Sequence, residues 1–325
     1  MAPLIDRRAR AKRCRCLRFD SRGRDLRGLQ FVVRYVMLRS ILIAGCGFVG
    51  LPLARNFVDA GWETHAITGS ESSAERLRTE SFHVCSLDIR DGNAVRQLAR
   101  HSFDVVVHCA SSGRGNASDY EAVFFEGAKN LLKSLKYGRF IFTSSTSVYA
   151  QTDGSWVDEI SPAEPTRGTG RVLRETEELV VATGGIVARL AGLYGPGRCV
   201  PLQKLLNGKA IIEGDGSRRM NLLHQSDAAA ALQFLAQSEM PGIYNAVDNL
   251  PVTQIDWYRY VCDLLNRPLP PTGSPDLDRK RGWTNKRVSN QKLRALGWEP
   301  IYATFKQGVQ MLVESEQNES NPTAH

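Results

Sequence analysis

The residues of this chain whose type and spacing speak most directly of chemistry are Gly45-Cys46-Gly47-Phe48-Val49-Gly50. They follow the apolar, β-branched run Ser40-Ile41-Leu42-Ile43-Ala44, which reads as a buried parallel strand. They precede a stripe of Leu51, Leu53, Ala54, Phe57 and Val58 that reads as an amphipathic helix ended by Gly61. In the order strand, GxGxxG, helix, glycines permit a tight turn and a close approach of pyrophosphate, and the helix N-terminus turns unpaired N–H groups towards the anion. The expected ligand is a dinucleotide, held by Gly45, Gly47, Phe48, Val49 and Gly50.

Such a turn has to be carried by a sheet, and the chain alternates regularly enough to build one. Further strands are predicted at Thr64–Thr68, Phe82–Leu87, Asp104–Cys109 and Arg139–Thr143, the last running into Ser144-Ser145-Thr146-Ser147. Helices are predicted over Ala94–Arg100 and Tyr120–Leu135, with Lys136-Tyr137-Gly138 as a turn into the fifth strand. This predicts an α/β fold: a Rossmann-type, doubly wound parallel sheet with ligands at the carboxyl ends of its strands.

A length of 325 residues suits about two domains at ~150 residues each. With 42% hydrophobic and 23% charged residues, wholesale disorder and small disulfide scaffolds are excluded. The formal charge of +8 is unevenly spread: residues 1–36 hold 11 of the 42 Lys and Arg and 3 of the 34 Asp and Glu, so the remainder is formally neutral. That leaves no basic groove to expect on the folded body, hence no nucleic-acid partner for it. No run of ~18 uncharged apolar residues occurs, so no membrane span is expected.

Residues 1–36 read as a basic, disordered extension, and two explanations stay open: an upstream stretch before a true start at Met37, or organelle targeting. The seven cysteines lack a CxxC pair or a Cys/His cluster at zinc spacing, so neither structural disulfides nor a metal site is expected, and a reducing cytoplasm fits. Residues 314–325 read as a disordered tail.

Taken with AGCGFVG, the stretches LDIRD (Leu87–Asp91), DVVVHCAS (Asp104–Ser111), FTSSTSVYA (Phe142–Ala150) and RLAGLYGPGR (Arg189–Arg198) resemble the extended and atypical short-chain dehydrogenase/reductases. The resemblance is to the NAD-dependent epimerase/dehydratase type that acts on nucleotide sugars, and it covers about residues 40–312. It implies a cofactor core over 37–164, and over 165–313 the rest of that core interleaved with a smaller C-terminal substrate lobe. It also implies Asp88 and Ile89 beside the adenine, and Ala110 and Ser111 along the cofactor. After the second strand the family often places an acid on the adenosine ribose; Thr68-Gly69-Ser70 offers hydroxyls instead, which leans from NAD towards NADP, with Glu71 the residue that weakens the lean.

The departure lies in the catalytic pair. Counting from Pro165, Thr169 stands where the family has tyrosine and Leu173 where it has lysine, an alignment anchored by Glu177. An aliphatic hydroxyl is too weak an acid to replace a phenol poised by a cation. Ser145 matches the family's serine or threonine that hydrogen-bonds the reacting oxygen, and Tyr149, Tyr194 and His224 are the candidate replacement acids, packing being the competing role of each. Arg219, Lys286 and Arg287 fall where the family binds a nucleotide diphosphate. Two functions follow: hydride transfer on a nucleotide sugar or other small carbonyl or alcohol compound with a non-standard proton donor, or a catalytically silent NAD(P) sensor. A homodimer is the expected assembly under the resemblance.

Overall fold

The computed structural model describes residues 39–113, 115–279 and 282–320, so the expectations for residues 1–36 and 321–325 lie outside the described residues. Seven strands form the central sheet: β1 (Ser40–Ala44), β2 (Glu63–Thr68), β3 (His83–Ser86), β4 (Ser102–His108), β5 (Lys136–Ser145), β6 (Ile186–Leu190) and β7 (Gly242–Ala246). Their order is β7-β6-β5-β4-β1-β2-β3 and every pairing is parallel. The order in which successive strands are laid down reverses between β1 and β4, β2 and β3 lying on one side and β5 to β7 on the other, which opens the crevice in which doubly wound folds bind ligands. Buried on both faces, β1 has no exposed residue and β4 carries Val105, Val106 and Val107 in unbroken succession.

Helices α1 (Gly50–Asp59), α2 (Glu71–Glu75), α3 (Gly92–Arg96), α4 (Ala117–Tyr120), α5 (Gly127–Ser134) and α6 (Gly168–Ala182) connect the first six strands. Gly61 ends the turn after α1 at φ +77°, as the sequence predicts. The single helix expected over Tyr120–Leu135 is interrupted: Glu121–Glu126 is a π turn between α4 and α5. That extra residue per turn leaves Phe124 against the rings of His108 and Phe142.

Lys136-Tyr137-Gly138 is strand, a correction to the turn expected there. Lys136 and Tyr137 pair with Ser102 and Phe103, and Gly138 is needed because a Cβ there would lie 2.9 Å from the Asp104 carbonyl oxygen.

Beyond β6 come α7 (Val200–Leu206), α8 (Gln225–Gln237), α9 (Gln254–Leu265), α10 (Gln291–Ala295) and α11 (Phe305–Ser320). The main core packs around the sheet, while Leu202, Met220, Trp257, Val261, Phe305 and Val309 belong to a second buried cluster of the C-terminal half. Helix α11 buries a stripe of Phe305, Val309, Leu312 and Val313 and runs on through 314–320, a correction to the start of the expected disordered tail, the rest of which lies outside the described residues. No helix among the described residues is long and apolar enough to cross a membrane.

Candidate active site

A cavity of about 1020 Å³ opens over the carboxyl ends of the strands, lined from the β1–α1 turn, the ends of β2 to β6 and the C-terminal lobe. The three glycines of the turn do different work. Gly45 sits at φ +107°, and a Cβ on it would fall 2.3 Å from the Ala110 nitrogen at the end of β4. Gly50 is closed from behind, since its Cβ would meet the Gly45 oxygen at 2.1 Å; it packs the helix onto the strand and does not line the cavity. Gly47 has nothing within 4 Å of its Cβ position and lines the cavity, so a side chain there would exclude only a ligand. Phe48 and Val49 line the cavity beside it, and α1 begins at Gly50 with no side-chain cap on its first N–H groups.

Towards the outer strands the lining continues through Thr68, Asp88, Ile89, Ala110 and Ser111. Arg90 grips Asp88 through Nε and Nη2 at 2.9 and 2.7 Å, holding its carboxyl below the usual carboxylate range. The expected placement of Ser70 differs: its hydroxyl caps α2 by accepting from the Ser73 nitrogen at 3.3 Å, and Ser73 lines the cavity in its stead. Glu71 is drawn off to Arg78 at 3.0 Å and is not part of the lining. Cys46 and Cys109 also line this end, yet burial pushes the Cys46 thiol up to about 12 and the Cys109 thiol up further, so neither supplies a thiolate nucleophile.

At the reaction end, β5 delivers Ser145 into the lining, where its hydroxyl accepts from the Ser147 nitrogen at 3.2 Å and starts a short 3₁₀ turn. Helix α6 places Thr169, Leu173 and Glu177 one turn apart on a buried face. Leu173 lines the cavity, so the position where the family has lysine is an apolar wall; Thr169 is buried outside the lining. Gly170 lets that helix start close, because a Cβ there would be 2.4 Å from Cβ of Pro165.

The replacement acids are placed otherwise than a cleft donor requires. Tyr149 is fully buried outside the lining: its hydroxyl donates to the Asp158 carbonyl oxygen at 2.7 Å and accepts from Arg189 at 2.8 Å. Arg189 in turn holds Glu177 with two bonds of 3.0 and 2.7 Å, and Ser144 donates to the same carboxylate at 2.5 Å. Tyr149 thus completes a buried polar network and is not free to exchange protons with a ligand. His224 accepts the Ser226 nitrogen on Nδ1 at 3.2 Å to cap α8, and burial pulls it down to about 4, so it is neutral at pH 7. Tyr194 borders the cavity, but its hydroxyl lies under α11, where a Cβ on Gly308 would come within 2.5 Å. Burial, then the carboxyls of Asp248 and Asp227, push that phenol well above its ordinary value.

The far end of the cavity is cationic. Arg219 and Lys286 line it, while Arg287 belongs to a two-residue strand pairing with Trp156–Val157 and is absent from the lining. Arg218 and Arg279, which the sequence reading missed, line it too; both pair with Glu213, Arg218 at 3.1 Å. Arg218 adjoins Arg219 in sequence, but Arg279 arrives from a separate loop, and only the fold brings it there. Lys286 is 4% exposed, with Nζ donating to the Thr284 hydroxyl at 2.9 Å and no carboxylate partner among the described residues. Burial, reinforced by Arg218, brings its ammonium down to about 8.

The family model for the NAD-dependent epimerase/dehydratase family matches residues 41–246. Protein YeeZ of Escherichia coli is 30% identical over 82% of this chain and 97% of its own length. A human dTDP-D-glucose 4,6-dehydratase is 22% identical over 85% of this chain and 89% of its own. Among solved structures, UDP-glucose 4-epimerase from Thermotoga maritima, with UDP-glucose, covers 86% of this chain and 99% of its own at a TM-score of 0.74 and 19% identity. The glycine turn, the order of the parallel sheet and the family match agree, and this chain belongs to the NAD-dependent epimerase/dehydratase family.

Proposed function

We propose that this protein holds a nicotinamide dinucleotide along the β1–α1 turn and, in the same cavity, a small carbonyl or alcohol compound carrying a phosphate or diphosphate, of which a nucleotide sugar is the leading case. The observation that carries the substrate class is Lys286: a buried cation facing the cavity without a carboxylate partner among the described residues is stabilised by an anionic ligand. Arg219 lines the same cavity, and Arg218 and Arg279 share the single carboxylate of Glu213, so that cluster keeps a net positive charge. For the cofactor the reading leans to NADP, because Thr68 and Ser73 bring hydroxyls to the outer end, Glu71 is turned away, and Arg90 borders the lining.

When bound, the nicotinamide supplies the hydride chemistry. Ser145 orients the reacting oxygen, and the buried Thr169 stands at the position of the family's tyrosine. Leu173 in the cavity wall favours one second reading, a sensor that binds both ligands without turnover. Calorimetry of UDP-glucose against the NADP-loaded protein and its Lys286→Met variant tests the substrate class. Binding by the parent weakened at least ~10-fold in the variant is expected; equal affinity in both removes Lys286 from recognition. Nicotinamide absorbance followed in the same mixtures separates turnover from sensing.

A further inference from the structure

At the opposite end of the sheet, β2 and β3 bring together three side chains that the linear sequence keeps apart. Glu63 and His65 are two residues apart on β2 and so share a face, and His83 of β3 is the direct parallel neighbour of His65. Glu63 Oε1 lies 3.1 Å from His65 Nε2, the His65 and His83 rings are 4.7 Å apart at 28°, and one donor atom from each of the three lies within 4.8 Å of the others. The edge of Phe103 closes one side, its ring centre 5.4 Å from that of His65.

We propose that Glu63, His65 and His83 bind a divalent transition metal, with Zn2+ the best match to the donors, and that the ion ties the edge strand β3 to β2. Two imidazoles and a carboxylate are the donor set of a three-ligand zinc centre with water in the fourth position, at ligand distances of roughly 2.0–2.2 Å. Donors around such an ion stand about 3.4 Å apart, so ring rotation and shifts of about 1 Å close the site without moving the backbone. The pairing explains why no zinc spacing is visible in the sequence: the ligands come from two strands joined by a crossover. A metal here has a structural consequence. β3 is only four residues long and pairs on one side alone, and it leads directly into Leu87, Asp88 and Ile89 of the cofactor cavity.

The test uses the full-length protein stripped with EDTA, beside His83→Gln, a change at an exposed position. Zn2+ is titrated against a chromophoric chelator, Co2+ is followed by its visible spectrum, and melting is recorded with and without Zn2+. The expected result is one more equivalent of Zn2+ in the parent than in the variant, bound on the order of 100-fold tighter than any residual site. The Co2+ spectrum should lack a thiolate charge-transfer band, which separates this site from one built on Cys14 and Cys16. Zn2+ at 100 times its Kd should raise the parent's Tm by about 5 °C and leave the variant's unchanged. Equal stoichiometry and equal melting response in both proteins, or a purely thiolate Co2+ spectrum, would overturn the proposal and leave a stacked histidine pair with Glu63 hydrogen-bonded to His65.

Discussion

Lys286 gives the site a pH dependence whose sign can be worked out. Its ammonium falls to about 8 in the folded, ligand-free protein, against the ordinary lysine value of about 10.4. Between those values the unfolded chain binds the extra proton, so this residue makes stability rise with pH from about 8 upward. An anionic ligand reverses the shift, and its affinity should be flat below pH ~7 and fall as pH rises through about 8. Calorimetry in two buffers of different ionisation enthalpy should show proton uptake on binding near pH 8.5, absent in Lys286→Met. At the reaction end, Ser145→Ala is expected to cut turnover by about 100-fold if Ser145 orients the reacting oxygen. Thr169→Val, buried outside the lining, should keep most of it. Steady-state kinetics on both variants check the assignment, and a collapse in Thr169→Val alone would refute it.

Among the elements, α6 is held to the sheet by the Glu177, Arg189 and Tyr149 network, with Ser144 of β5 and Arg174 also bonded to the carboxylate. Glu177→Leu leaves the Arg189 guanidinium buried without its anion and should cost about 3–5 kcal/mol in denaturant unfolding. The simultaneous change Glu177→Leu with Arg189→Met should recover much of that loss, as an apolar pair of similar volume can. This network gives Tyr149 the packing role that the sequence left open beside proton exchange. A tyrosine after the strand-end serines is legible as a site candidate, but which way its ring turns depends on Arg189 and Asn245, 40 and 96 residues away. The same holds for His224, spent on a helix cap, and for Arg279, which a loop carries in. Gly45, Gly47 and Gly50 were legible because their spacing between a strand and a helix is local in sequence, although the atoms that forbid a Cβ on Gly45 belong to Cys109 and Ala110 after β4. The strand at Lys136 was not, since Gly138 is selected by the neighbouring Asp104 carbonyl and not by a turn of its own. The α11 stripe was hidden by its polar C-terminal half, although Phe305, Val309 and Leu312 already have helical spacing.

Across the whole molecule, the buried acids of the C-terminal half set a second pH response. Burial raises Asp248 to about 8 and Asp227 to about 6, well above their ordinary range. For a raised carboxyl the contribution to stability is complete below pH ~4 and is lost as pH climbs towards about 8. Asp248→Asn cannot ionise, so between pH ~5 and ~8 its stability should gain on the parent by up to about 4 kcal/mol. Urea unfolding at several pH values reads this directly, and parallel curves would show that Asp248 does not carry the effect.

If one cavity, entered at the glycine turn, binds a nicotinamide dinucleotide, Gly47 isolates that binding, because its Cβ position is open space inside the lining. Calorimetric titration of NADP and NAD into the parent and into Gly47→Val, with melting curves on both, is the most direct measurement. The expected result is saturable binding by the parent, at least ~100-fold weaker binding by the variant, and an unchanged Tm. Equal affinity in a folded Gly47→Val protein, or no binding of either dinucleotide by the folded parent, would contradict it.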